Sequence, residues 1–403
     1  MNDNIILAKN FIRDEFKDNQ KVKKTVGTIL NDIRVNGDNA VNQWSQKIDG
    51  QAGKIIELKP FDEYGLETDL ADAIKTAYER IKRFCNFQAK DLKNDSFNDD
   101  FGDFGYIYQP IERIGAYIPG GRFPLVSTAL MTLTPAQVAG CPTRIACSPC
   151  AQPAVLAAAS LAGATQFLQL GGAQAIGALS YGFEEIQPVN MVVGPGNAYV
   201  NEAKLQVQHN TKIDTLAGPS ELLIYAEQLN NPDWIMYDAL AQAEHDPNAI
   251  SLIVSTSQQV LESLNTCINN HSAGSALIEN NQIVFILTES KEQAITFINH
   301  YAPEHLLICD TRCDMSLFTN YGSLFIGENS AVAFGDYCTG PNHTLPTLGA
   351  AKYSGGLSIH TFLKVLSTQK VNNKGRINLS KTSAILAQAE GLLFHQQSAE
   401  IRY

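Results

Sequence analysis

The sequence predicts an α/β protein: two consecutive parallel-sheet units, flanked by helical segments at both ends. Three observations carry this expectation. Short apolar runs of strand length alternate with helical stretches from Ile111 onward. The alternation occurs twice along the chain, and the regions before and after it read as helical or irregular.

Taken in order, the first stretch of about 110 residues places Lys, Asp and Glu around apolar positions at three- and four-residue spacing, the pattern of amphipathic helices. Residues 94–105 are polar, with Asp, Asn and Gly, and are expected to form a loop or boundary. Strands are then expected at 143–148, 166–171 and 189–193, with an Ala-rich helix at 153–164 and another at 173–180 between them. Lengths of this kind imply a parallel sheet with crossover helices. The second round has strands at 221–225, 250–254, 283–286, 306–308 and 323–326, separated by helices at 234–244, 258–270 and 291–301. Residues after Thr347 are expected to be helical or irregular. The resulting division is 1–110, a mainly helical segment packing on the core; 111–216 and 217–347, the two α/β units; and 348–403, a C-terminal segment. A ligand cleft is expected between the units, at the C-terminal ends of their strands.

Composition narrows the function classes. At 403 residues, 44% hydrophobic and 18% charged, the chain has the make-up of a folded soluble protein. Its net charge of −11 opposes non-specific binding to nucleic acid or to anionic membrane. The N-terminus, Met1-Asn-Asp-Asn-Ile-Ile-Leu-Ala-Lys9, lacks the make-up of a signal peptide, and the most apolar stretch, 154–164, is too short to span a bilayer. Eight cysteines do not make a disulfide framework, and Cys147-Ser-Pro-Cys150 is a lone CxxC, read as reduced, buried thiols at a strand end. The expected compartment is the cytoplasm.

The pair Glu304-His305 lies in Tyr301-Ala-Pro-Glu-His-Leu-Leu-Ile308, where Pro303 interrupts a helical stretch and an apolar strand begins. A carboxylate beside an imidazole can move protons near neutral pH. A solvated Glu next to a hydrogen-bonded structural His is the alternative. Gln242 and His245 are three apart near a helix end, which places both on one helical face. Asp336 lies in the Gly-bracketed Phe334-Gly-Asp-Tyr-Cys-Thr-Gly340, and His395 near the C-terminus. Such oxygen and imidazole donors suit zinc, although their spacing alone does not distinguish a metal site from unrelated, satisfied polar groups. Gly194-Pro-Gly-Asn197, Gly171-Gly172 and Gly115-Ala-Tyr-Ile-Pro-Gly-Gly121 are glycine-rich. None completes G-x-G-x-x-G, since Tyr199 takes the third glycine's place. Tight turns and backbone approach to a ligand both explain them.

These blocks, together with Pro135-Ala-Gln-Val-Ala-Gly-Cys141, Gly171-Gly-Ala-Gln-Ala-Ile176, Ala217-Gly-Pro-Ser-Glu221, Gln242-Ala-Glu-His245, Pro303-Glu-His305, Asn342-His343, Leu345-Pro-Thr347 and the run from Glu390 to His395, closely resemble the histidinol dehydrogenase family in order and in register. The resemblance implies two incomplete Rossmann-like units, the first binding NAD and the second carrying metal and acid–base residues. It implies oxidation of L-histidinol through the aldehyde to L-histidine, the last steps of histidine biosynthesis, with two NAD⁺ reduced and a water consumed. By the same resemblance Gln242, His245, Asp336 and His395 are the ligands of one zinc ion per subunit. Glu304 and His305 are the acid–base pair, His305 for the alcohol proton and Glu304 for the water. Ser220 and Glu390 bind substrate alongside Gln242, His245, His305, Asp336 and His395, and Tyr117, Gln174 and Asn197 contact NAD. The family is homodimeric, with the C-terminal segment completing the partner's active site, so Glu390 and His395 would serve the neighbouring subunit. His343 receives no role. Arg122 and Phe123 follow Gly121 where small residues are common in the family, and Cys338 adjoins the Asp336 loop. The competing readings are a relative oxidising another small polar alcohol, a zinc hydrolase in which Glu304 activates a metal-bound water, and a non-catalytic metal-binding scaffold.

Overall fold

The structure is a computed structural model and describes residues 4–13, 19–120, 124–215 and 218–403. Gly121, Arg122, Phe123 and Ala217 of the quoted motifs, with the expected seam at 216/217, lie outside the described residues.

Two six-stranded sheets form the framework. In the first, five parallel strands run Arg113–Tyr117, Thr143–Ser148, Gln166–Gln169, Met191–Val193 and Lys212–Ile213. In the second, the parallel strands are Glu221–Tyr225, Ile250–Ser255, Ile283–Leu287, His305–Ile308 and Ser323–Ile326. Numbered by chain order, the five strands of each sheet lie side by side as 3-2-1-4-5. This is the doubly wound Rossmann order without its sixth strand. Each sheet also gains an edge strand from the N-terminal segment beside its third strand. Lys54–Ile56 joins the first sheet antiparallel, and Ile5–Leu7 the second sheet parallel.

Both faces of each sheet are covered, so the strands are predominantly apolar. Leu222 and Ile224 point into one core and Leu223 and Tyr225 into the other, the alternation a pleated strand imposes. In the first sheet Ile114 and Ala116 pack against the Thr68–Ala89 and Val126–Val138 helices, while Tyr117, Ile145 and Leu168 meet the Gln20–Asn36 and Gly172–Tyr181 helices.

The structure corrects several expectations. Residues 113–117 form the central strand of the first sheet, not a glycine-rich loop. Gly115 stands there because the Leu179 side chain comes within 2.9 Å of where its Cβ would be. Residues 94–105 contribute to a hairpin, Asp95–Asp99 with Gly102–Pro110, and Leu363–Val371 pairs with it to make a third, antiparallel sheet. The first 110 residues are thus helices plus strands, and the C-terminal segment is a strand followed by the Asn373–Ala389 and Leu393–Glu400 helices. Among the described residues, no helix is long and apolar enough to cross a membrane.

Candidate active site

The Lys291–Tyr301 helix ends at Ala302, whose φ of 53° is left-handed, a conformation non-glycine residues enter at a cost. Pro303 then bars further helix, and the chain turns into the His305–Ile308 strand. The parallel register sets Leu222 opposite His305, which brings Glu304 against the start of the neighbouring strand. There the Ser220 hydroxyl donates to Glu304 Oε2 at 2.6 Å and the Glu221 amide donates to the same oxygen at 2.8 Å. Gly322 permits the turn, since a Cβ there would lie 2.5 Å from the Glu304 carbonyl oxygen.

These groups gather at the amino ends of the second sheet's strands, not the carboxyl ends expected for it. The physical reason is the helix that follows the first strand. The Pro232–Glu244 helix returns across the sheet and delivers its C-terminal end, with Gln242 and its cap His245, to the edge where strands begin. Asp336 comes from the short Val332–Tyr337 helix, which Gly335 seats against the Phe325 ring, 2.5 Å from where a Cβ would stand. Asp336 Oδ2 lies 3.9 Å from His245 Nε2 and its Oδ1 lies 3.6 Å from His305 Nε2. His305 Nδ1 is 3.6 Å from Glu304 Oε2 and 3.3 Å from the Glu221 carbonyl. The sequence-derived residues Ser220, Gln242, His245, Glu304, His305 and Asp336 therefore lie on or directly beside four separate elements that meet at this edge.

Their titration is shaped by burial and by one another. Burial pushes the Glu304 carboxyl up to about 7, against the pull of His305, the Ser220 hydroxyl and the Glu221 amide. Burial opposes a charge on His305, yet Glu304 and Asp336 outweigh it and raise the imidazole to about 9. Burial also works against an ionised Asp336, whose carboxyl is nonetheless held below its usual range by His305, His343 and His245. His343, without an assigned role, bridges the two units. Its Nδ1 is 2.8 Å from the Asp336 carbonyl and its Nε2 3.3 Å from Thr128 Oγ1 on the Val126–Val138 helix.

The donor set is one a metal ion can use. Gln242 is 2% exposed and its amide Nε2 has no hydrogen-bond partner, an orphaned polar group three residues before His245 on the same helix. Within one chain the set stops there: among the described residues, no group of three or more His, Cys, Asp or Glu side chains stands close enough to hold a metal. His395 and Glu390 are exposed on the C-terminal segment.

Tyr117, Gln174 and Asn197 lie elsewhere, at the carboxyl edge of the first sheet. Tyr117 ends the first strand and Gly194-Pro-Gly-Asn197 follows the fourth, on either side of the point where strand order reverses. The Gly172 amide donates to the Tyr117 hydroxyl at 3.2 Å. Gln174 is fully buried, its Nε2 donating to Asp49 at 2.9 Å and its Oε1 unpartnered. Asn197 caps the Ala198–Val207 helix.

Sequence reasoning missed the groups behind these. Glu221, buried at the root of the Glu304 contact, pairs with Arg13 of the N-terminal segment. Asp238 accepts from the Val332 amide at 3.3 Å and so ties the helix bearing Gln242 to the helix bearing Asp336. Asp238, Gln242 and His245 recur at helical spacing on one face, a signal present in the sequence.

Comparison with known proteins places the chain in a family. The family model described as histidinol dehydrogenase matches residues 12–403. A histidinol dehydrogenase of Methanosarcina barkeri is 37% identical over 411 residues, covering 95% of this chain and 92% of that protein. One from Thermus thermophilus is 38% identical over 395 residues, covering 94% of each. The crystal structure of histidinol dehydrogenase from Elizabethkingia anophelis superposes with a TM-score of 0.88 at 33% identity, covering 98% of this chain and 95% of that one. The chain belongs to the histidinol dehydrogenase family.

Proposed function

We propose that this protein oxidises L-histidinol through L-histidinaldehyde to L-histidine, the last steps of histidine biosynthesis, reducing two NAD⁺ and consuming one water. The observation that carries the reading is the buried Glu304–His305 couple, held by Ser220 and Glu221 beside Asp336 and facing the end of the Gln242–His245 helix. Membership of the family supplies the substrate.

His305, in its neutral form, accepts the hydroxyl proton as the alcohol loses hydride. An aldehyde must be hydrated before it can lose a second hydride, and Glu304, as carboxylate, takes the proton of the adding water. Ser220 and the Glu221 amide fix Glu304 Oε2, the oxygen nearest His305 Nδ1. Gln242, His245 and Asp336, with His395 contributed by the partner subunit, would hold one zinc ion, which when bound anchors and orients the substrate's imidazole and amino nitrogens. NAD, when bound, supplies the hydride acceptor, and Tyr117, Gln174 and Asn197 at the switch point of the first sheet are the residues assigned to it. Residues 111–216 are then the NAD-binding unit and 217–347 the unit with metal and acid–base residues.

Residues 348–403 are assigned to a homodimer, where Glu390 and His395 complete the neighbouring site. Support comes from their exposure and from the apolar surface around them: Leu393, Phe394 and Ile401 are 58%, 80% and 82% exposed. We place the enzyme in the cytoplasm, in keeping with its acidic composition and cysteine usage. The test is NADH release from histidinol, NAD⁺ and zinc. Two equivalents per histidinol support the reading; one equivalent reduces it to a simple alcohol dehydrogenase, and none removes it.

A further inference from the structure

We infer that the buried ion pair Lys204–Asp214 is a positioning device for the nucleotide: it clamps the Gly194 peptide and thereby sets the loop that carries Asn197 against Tyr117. The inference rests on the assignment of Asn197 and Tyr117 to NAD made above.

Both charges are removed from water, with side-chain exposures of 0% and 2%, and stand 2.5 Å apart. A pair so buried is a poor way to gain stability, because desolvation consumes most of the attraction and an apolar pair of equal volume does as well. What this pair does instead is specific. Lys204 Nζ donates to the Gly194 carbonyl at 2.9 Å, and the Gly194 amide donates to Asp214 Oδ2 at 2.7 Å. The two polar groups of one glycine are thus held from opposite ends of the connection that follows it. Lys204 lies in the Ala198–Val207 helix and Asp214 directly after the Lys212–Ile213 strand.

Gly194 is where orientation matters. The ladder between the first and fourth strands ends at Ala116 and Val193, so Gly194 is the first residue past the sheet. Its φ of 112° excludes a side chain, and a Cβ would fall 2.1 Å from the Tyr117 carbonyl oxygen. The backbones bearing Tyr117 and Asn197 therefore touch at this glycine. Downstream, the Asn197 side chain accepts from the Tyr199 and Val200 amides at 3.0 and 3.1 Å, and Asn201 Nδ2 donates to the Gly196 carbonyl at 2.9 Å. Those bonds hold the loop's far end to its own helix. The ion pair is what holds its near end to the sheet. Because the Gly194 amide points inward to Asp214, ligand contacts from this loop fall to the residues after it.

The experiment uses the double variant Lys204→Met/Asp214→Asn, which leaves no buried charge unpaired and keeps an acceptor for the Gly194 amide, beside Lys204→Met alone. NADH affinity is read by nucleotide fluorescence, with hydrogen exchange over residues 191–200 in cofactor-free protein and with the KM for histidinol. Expected for the double variant are a rise in the NADH dissociation constant of about tenfold or more, faster exchange over that segment, and a histidinol KM unchanged. A thermal midpoint lowered without any change in NADH affinity would make the pair merely structural and overturn the inference. Asn197→Ala separates the two layers. If it leaves NADH binding at the wild-type level, the assignment of the loop fails and the clamp's purpose with it. If it weakens binding while the double variant does not, the clamp alone fails.

Discussion

Asp238 offers a stability measurement whose sign and size follow from its surroundings. The side chain is 7% exposed, on the Pro232–Glu244 helix, and burial lifts its carboxyl from an ordinary 3.8 to about 6, against the Val332 amide that it accepts from. An acid whose folded value is raised holds its proton in the native state after the unfolded chain has released it. Between about pH 4 and 6 the native protein therefore binds more protons, and stability falls as pH rises. At about 1.4 kcal/mol per tenfold, the loss is about 3 kcal/mol, complete by about pH 6.5 and flat beyond. Asp238→Asn retains an oxygen for the Val332 amide and removes the titration. Its advantage over wild type is expected to be absent near pH 4 and to grow to about 2–3 kcal/mol at pH 7. Urea unfolding of both proteins at matched pH values reads the difference directly. A constant offset, or none, would show that Asp238 titrates normally and that its burial imposes nothing. Asp238→Leu removes the oxygen too, and there the link between the helices bearing Gln242 and Asp336 should loosen, with zinc affinity falling even where stability does not.

Three further outcomes follow from the site. Glu304→Gln should spare alcohol oxidation and slow aldehyde oxidation by about 10²-fold or more, measured with histidinaldehyde supplied as substrate; equal loss in both steps would end the division of roles. In the wild type the aldehyde step should rise with pH through about 7, where Glu304 ionises, and that limb should vanish in the variant. Arg13→Met strands the Glu221 carboxylate and should cost about 2–3 kcal/mol of unfolding free energy, discounted from a fully buried pair because Arg13 is 24% exposed; Arg13→Met/Glu221→Gln should return most of it. Subunits bearing Glu304→Gln and subunits bearing His395→Ala, each nearly devoid of aldehyde oxidation alone, should regain about a quarter of the wild-type aldehyde-oxidising activity when mixed and reassociated, since half the dimers are hybrids with one intact site. No recovery would mean that each chain supplies its own His395.

How much of this was legible in the sequence depended on what kind of neighbour each residue has. The Glu221–Tyr225 and Ile250–Ser255 strands are buried on both faces and announce themselves through the apolar runs at 222–225 and 252–254. The Val126–Val138 helix is buried on nearly every side and carries Pro135, so it has no polar face to give a helical period. Leu363–Val371 is exposed along almost its whole length and lacks the alternation of a half-buried strand. At the site, Pro303 marks Glu304 and the three-residue spacing marks Gln242 and His245. Asp238 shares the helical spacing of Gln242 and His245, but its tie to Val332, like the Arg13–Glu221 pair, remained invisible because the partners are 94 and 208 residues away and only the fold makes them neighbours.

The two units share a strand order yet present opposite edges, and helix polarity gives this a chemical consequence. At the carboxyl edge of a parallel sheet the following helices begin, and their amino termini carry a partial positive charge of about +0.5. Asn197 and the start of the Ala198–Val207 helix stand there, which favours the anionic groups of a nucleotide. At the amino edge the returning helices end, with a partial charge of about −0.5. Gln242 and His245 stand at such an end, beside Asp336 and the carboxylates of Glu304 and Glu221, a setting that favours a cation over phosphate. Had the second unit used its carboxyl edge, helix amino termini would have opposed a bound cation. On the proposed assignment of NAD to the first edge and zinc to the second, the reversal would separate two ligands of opposite charge on one repeated architecture, and phosphate should compete with NADH while leaving zinc affinity untouched.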